Sequence, residues 1–282
     1  MKTLIPLTAL VALIASSASF AQTLAYSKPS GYTTQVLKPG KMNYVGINLL
    51  TPSLATGTIT GTRNKGRTLI DANAGLGAVL PSGKMYTIEI TSGTETGSVR
   101  EFRTFTKTQV NISAEIRGLK AGDKYIIRKN PTLQEIFPAG APLIGGTVNP
   151  IEADVIRVPN GDGTDTTYWY KTTNESGAIG WWTTTDGRTR GAQVTQDIPL
   201  FYTDGIQIYR KARTGSGDVN LVLTGQVKTK SSRPYVIKGL NSVSINFPVG
   251  STFANSGLHR SIQGAATSPA TADILWVPDK DM

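Results

Sequence analysis

Apolar and polar residues alternate with a period of two through most of this chain. In Tyr86-Thr87-Ile88-Glu89-Ile90, Gly205-Ile206-Gln207-Ile208-Tyr209 and Val219-Asn220-Leu221-Val222-Leu223, apolar side chains recur at every second position. Successive side chains of a strand point to opposite faces, so this pattern gives one face to a core and the other mostly to water. Clusters rich in Gly, Asn, Asp and Ser punctuate the runs at Asn64-Lys65-Gly66, Asn160-Gly161-Asp162-Gly163, Asn174-Glu175-Ser176-Gly177 and Gly215-Ser216-Gly217. Such residues tolerate positive φ and make tight connections. Residues 166–185 read as a hairpin with an aromatic strand on each side of its turn. The pattern predicts an all-β fold, an antiparallel sandwich or partly closed barrel. One short helix is expected over residues 132–137, capped by Asn130 with Pro131 at its first position. Leu133, Ile136 and Phe137 then share a face that plugs one end of the β core.

The first 21 residues read as a secretory signal peptide: Lys2, an apolar run of about a dozen residues, then the small residues Ser19 and Ala21 around Phe20. That run is too short to span a bilayer, so no transmembrane segment is expected after cleavage. The expected location is outside the cytoplasm, secreted or in a bacterial cell envelope. The chain has no Cys, which excludes disulfides, thiol chemistry and Cys-ligated metals. Only 17% of residues are charged, against roughly 25% in an average soluble protein, and helical acidic stretches are absent. A coiled coil and a charge-rich disordered chain are thereby disfavoured.

Two internal echoes subdivide the chain. Asn43-Tyr44-Val45-Gly46-Ile47-Asn48 resembles Asn241-Ser242-Val243-Ser244-Ile245-Asn246, each preceded by a Val, an apolar residue and a Lys. Ala153-Asp154-Val155-Ile156-Arg157-Val158-Pro159 resembles Ala272-Asp273-Ile274-Leu275-Trp276-Val277-Pro278. The expected organisation is a signal peptide (1–21), a main β domain (22–230) and a partial C-terminal β repeat (231–282). No counterpart to the 166–185 hairpin follows the repeat's last strand within these 282 residues: either the chain is truncated there, or that apolar strand is expected to add to a sheet edge, in cis or in another molecule.

Leu119-Lys120-Ala121-Gly122-Asp123-Lys124-Tyr125-Ile126-Ile127-Arg128, Pro131-Thr132-Leu133, Ala153-Asp154-Val155-Ile156, the aromatic Tyr168-Trp169-Tyr170 and Trp181-Trp182, and Ile206-Gln207-Ile208-Tyr209-Arg210 carry a resemblance. Together they resemble an uncharacterised family of secreted proteins from Verrucomicrobia-like bacteria, over most of residues 36–230. The resemblance implies an exported β-rich protein of the envelope or exterior. It brings no activity, cofactor or catalytic residues.

Chemistry-bearing motifs are sparse. His259 is the sole histidine and sits in a polar, loop-like stretch. No Gly-x-Ser-x-Gly elbow accompanies it, and a His-based zinc site lacks ligands. Residues 77–85 have the wrong spacing, and Met85 where a magnesium-holding hydroxyl is needed, for a phosphate loop. Asn160, Asp162 and Asp165 offer oxygens for calcium, but the later Glu of a full loop is missing. No local pattern marks a glycosidase carboxyl pair among the glutamates. No enzyme activity and no cofactor are therefore expected. Ligand-binding candidates are Tyr168, Trp169, Tyr170, Trp181 and Trp182, whose rings could stack on sugars, with Arg188 and Arg190 nearby. The net charge of +10, from 29 basic and 19 acidic residues, favours acidic glycans or envelope polyanions as partners. Specific nucleic-acid recognition is not expected. The leading expectation is a structural or cell-surface β protein that self-associates by strand addition. The alternative is a glycan- or polyanion-binding module.

Overall fold

The computed structural model describes residues 29–244, and beyond them 252, 254, 262–265, 270 and 272–277. The expected signal peptide, His259 and residues 245–251 of the C-terminal repeat lie outside the described residues.

The fold is all-β. In chain order, the strands begin with β1 (Ser30–Leu37), β2 (Met42–Gly46), β3 (Leu49–Leu50), β4 (Ser53–Thr58) and β5 (Gly61–Arg63). They continue with β6 (Thr68–Ile70), β7 (Tyr86–Ile90), β8 (Val99–Phe105), β9 (Gln109–Ile112) and β10 (Lys124–Lys129). The last are β11 (Val155–Pro159), β12 (Asp165–Lys171), β13 (Gly180–Thr184), β14 (Gly205–Tyr209) and β15 (Val219–Val227). They form three antiparallel sheets of order β1-β15-β3, β4-β10-β7-β8-β9-β6-β5 and β13-β12-β11-β14-β2. Two short helices, α1 (Leu76–Val79) and α2 (Leu133–Ile136), accompany them.

Two cores organise these sheets. Leu37, Leu221 and Leu223 of the three-stranded sheet face Val45, Ile156, Val158, Trp181, Ile206 and Ile208 of the five-stranded sheet, which makes a sandwich. The seven-stranded sheet curls around its own core of Leu69, Tyr86, Ile88, Ile90, Phe102, Val110, Ile112, Tyr125 and Ile127. Its two edge strands, β4 and β5, follow one another in sequence. At that end the Asp71 carboxylate accepts from Thr58 N–H at 3.1 Å and from Tyr125 Oη at 2.8 Å. A side chain at Gly57 would collide with both Asp71 and Tyr125, so glycine is what lets the strands approach. No ladder joins β4 to β5, and no closed barrel forms among the described residues. In sequence, the curled sheet (53–129) is an insertion between β3 and α2 of the sandwich.

Strand β7 departs from the expected alternation, because all five of its residues are buried. Tyr86, Ile88 and Ile90 enter the curled-sheet core. On the other face Thr87 donates to Asn130 Oδ1, and Glu89 meets Arg128 and Lys228. The polar side of the strand faces the junction between the two bodies rather than water. The helix is where it was expected, but its cap differs. Thr132 Oγ1 accepts from Glu135 N–H at 3.2 Å while Glu135 Oε2 accepts from Thr132 N–H at 3.0 Å, a reciprocal capping box. Asn130 is instead a buried bridge. Leu133 and Phe137 are fully buried in the sandwich core, so the helix is the plug that its apolar face predicts.

Candidate functional site

The aromatic hairpin forms as expected, with Trp169 opposite Trp182 and Tyr170 opposite Trp181. Its rings are placed differently from one another, some in the core and some at the surface. Trp181 is a core side chain, edge-on to Tyr170 at 5.4 Å and to Phe137 at 6.4 Å. Trp169, on the opposite face, is fully buried beneath the 141–154 connection, so close to Gly146 that a side chain there would meet its ring. Tyr168 and Tyr170 are half-buried and pack against the sandwich core. Trp182 is tied down locally: its Nε1 donates to Ala178 O at 3.1 Å and the Arg190 guanidinium lies 5.0 Å from its ring centroid. Arg190 also donates to Ser176 O. Arg188 is exposed on the following turn, where its N–H donates to Asp186 at 2.8 Å. Trp169 and Trp181 are covered by packing that the hairpin's own residues could not reveal, while Trp182 stays half-exposed.

The turn bearing Asn160, Asp162 and Asp165 uses its oxygens internally. Asp162 Oδ1 accepts from the Thr164 N–H at 2.9 Å and from its hydroxyl at 2.6 Å, and these bonds hold its carboxyl below the usual range. Asn160 Oδ1 accepts from Thr166 Oγ1 at 3.0 Å, and Asp165 pairs with Arg157 at 3.4 Å. The oxygens of all three residues are thus engaged with protein partners. Among the described residues, no group of three or more His, Asp or Glu is placed to hold a metal ion, and no helix is long and apolar enough to cross a membrane.

The structure assembles two features that no local motif announced. The first is a cavity of about 410 Å³ between the curled sheet and the sandwich. Its walls come from β8, the 159–164 turn, Phe201 and Asp204, and residues 234–243 roof it. Glu101 and Asp204 line both this cavity and an adjoining one of about 180 Å³. Burial pushes the Glu101 carboxyl up to about 7, against the opposing effects of a 2.7 Å hydrogen bond from Asn130 and the charge of Arg103. Burial also pushes Asp204 up to about 7, and the charge of Glu101 adds to the rise. Two half-buried carboxyls thus line one partly open space, and the charge of Glu101 opposes ionisation of Asp204. They are far apart in sequence, and neither lies in a recognisable motif.

The second feature is a likeness in hydrogen bonding between the echoed segments. Asn43 closes its loop by accepting from Lys38 N–H at 2.7 Å and donating to Lys38 O at 3.1 Å. Asn241 does the same with Ile237, at 2.9 and 2.8 Å. In the second pair, Asp154 N–H donates to Ile144 O at 2.8 Å while Ile144 N–H donates to Asp154 Oδ2 at 3.0 Å. Asp273 and Gln263 repeat both bonds, at 2.8 and 2.7 Å, with the same ten-residue separation. The strand after Asp154 is β11, flanked by β12 and β14, with Ile156 0% and Val158 5% exposed. After Asp273 the equivalent residues Leu275 and Val277 are 46% and 74% exposed, and among the described residues no ladder joins 274–277 to another strand.

No family model, no curated protein and no solved structure matches the chain.

Proposed function

We propose that the chain is an exported, non-enzymatic structural or cell-surface β protein that self-associates by strand addition. The C-terminal repeat supplies the strand, and a second copy of the chain supplies its neighbour. One observation carries this reading: Asp273 reproduces the hydrogen-bond frame that precedes β11, while the apolar segment that follows it stands open. A strand with exposed N–H and C=O groups is a template for another strand, and main-chain hydrogen bonds then give the affinity. In β11 the corresponding backbone is paired along both edges, by β12 and by β14. A scattered basic surface supports loose retention near acidic envelope polymers as an accompanying property.

Sedimentation velocity on the full chain and on a Leu275→Lys/Val277→Lys variant tests the reading. Reversible association of the wild type and a monomeric variant of unchanged circular dichroism is the expected result. Identical sedimentation of the two would refute it.

A further inference from the structure

Strand β1 is an edge without the usual protection. On one side it pairs with β15 along its whole length, from Ser30 opposite Gln226 to Leu37 opposite Val219, with no shift of register. Bonded and non-bonded pairs alternate along an antiparallel ladder. Val227 N–H donates to Pro29 O at 2.8 Å, so the odd-numbered residues from 29 to 37 are the ones that bond to β15. Tyr32, Thr34 and Val36 therefore direct their N–H and C=O groups away from β15, and among the described residues no ladder or bridge covers that side. Their side chains stand on the open face of the sheet, with Tyr32 77% and Val36 52% exposed. Natural edges are blunted by charge, proline, a bulge or a covering segment. The eight residues of β1 carry no charge, no proline and no bulge.

The other edges are shorter or already engaged. Residues 191–194 cover β13: Thr183 N–H donates to Ala192 O at 2.9 Å, and the Gly191 and Val194 N–H groups donate to Thr183 O and Trp181 O at 2.8 and 2.9 Å. On β2, Gly46 O accepts from Gln35 Nε2 at 2.8 Å. On β4, the Thr58 N–H is taken by Asp71. Strand β5 has three residues and ends in Arg63. The far side of β15 is occupied at one end by β3, at Gln226 and Val227.

We propose that the outward edge of β1 is the acceptor for residues 274–277 of a second copy. This inference rests on the strand-addition reading and adds to it the edge that receives the strand.

The two segments suit each other. Ile274-Leu275-Trp276-Val277 has neither charge nor proline, so nothing in it opposes pairing with the uncharged β1. Its side chains are open, with Ile274 63% and Trp276 81% exposed. An added strand sends alternate side chains to opposite faces. One pair from 274–277 then lies beside Tyr32 and Val36, where lateral contacts between aromatic and β-branched side chains stabilise a sheet. The other pair lies over the flank of the sandwich, where Gln35 of β1 reaches across to β2. Main-chain bonds to the groups of Tyr32, Thr34 and Val36 fix the strand in place.

Proline distinguishes the edges of this sheet without touching its existing ladder. Thr34 and Val222 face each other as a non-bonded pair, so proline at 34 removes an N–H that points out from β1, and proline at 222 one that points to the far side of β15. Sedimentation velocity over a range of concentrations then reads the effect on the full chain. Thr34→Pro should raise the dissociation constant at least about tenfold, the loss of one or two main-chain bonds, while Val222→Pro should stay within about twofold of the wild type. Thr34→Lys, which changes an exposed side chain and puts a charge on the edge, should weaken association in the same direction and takes the place of Thr34→Pro if that variant loses native circular dichroism. A mixture of Thr34→Pro, which retains the donor, with Leu275→Lys/Val277→Lys, which retains the acceptor, should associate more strongly than either chain alone. Undiminished association in the folded position-34 variants, a loss in Val222→Pro instead, or a mixture that behaves as the sum of its parts would overturn the assignment of this edge and leave strand addition standing. A wild type that is monomeric at every concentration would overturn both.

Discussion

Asp273 holds Gln263 through the same two hydrogen bonds that Asp154 makes with Ile144, in each case across ten residues. What differs is the surroundings. Asp154 is buried and additionally faces Arg210 and Arg213, each at 3.4 Å, and accepts from Lys211 N–H at 3.0 Å. Asp273 is exposed. Asp154→Ala leaves the fully enclosed Arg210 guanidinium without its carboxylate, a loss of about 3–5 kcal/mol. Asp273→Ala removes only a solvated frame and should change global stability by less than about 1 kcal/mol. Urea denaturation of the two variants checks the contrast. Equal losses would mean that the two frames are not placed as described.

The junction between the bodies contains a second buried ion group, in which Glu89 faces Arg128 at 3.5 Å and also Lys228. Glu89→Ala strands two cations at once, and a destabilisation of about 3 kcal/mol or more is expected. Because Lys228 follows β15 and Arg128 lies on β10, the loss should loosen the contact between the bodies. Limited proteolysis, with cleavage between β10 and α2 appearing first, measures this.

Stability should depend on pH in an uncommon direction for carboxylates. Glu101 and Asp204 titrate near 7 in the folded chain and near 4 when unfolded. Between these values the native state binds more protons than the unfolded one, so stability falls as pH rises from about 4 to about 7 and levels off above. Denaturant midpoints measured across that range should decline in the wild type. In Glu101→Gln/Asp204→Asn they should be flatter.

Truncating the hairpin rings should separate core from surface. Trp169→Ala empties a fully buried site and is expected to cost about 3–5 kcal/mol. Trp182→Ala removes a half-buried ring with one hydrogen bond and should cost about 1 kcal/mol. Thermal melts of both variants decide the ranking, and a reversed order would contradict the packing given for β12 and β13.

The strand content was legible because period two is a local signal, and so was the 166–185 hairpin. The capping box of α2 was equally available, since Thr132 and Glu135 have the required spacing, yet Asn130 was the more conspicuous cap. What a local pattern could not disclose was which polar faces would be buried. Glu89 reads as the wet side of a strand until Lys228, 139 residues later, arrives beside it. The same holds for Trp169, covered by the 141–154 connection, and for the Glu101–Asp204 pair, which only the docking of β8 on the 201–205 segment brings together. The echoes were visible as letters, but the hydrogen bonds that they share were not.

Backbone hydrogen exchange at residues 273–277, in dilute and in concentrated solution of the intact chain, addresses the proposed assembly most directly. Strand addition predicts that these amides become slower to exchange as concentration rises, in alternation along the segment as every second N–H finds a carbonyl. Exchange that is fast and independent of concentration would contradict it.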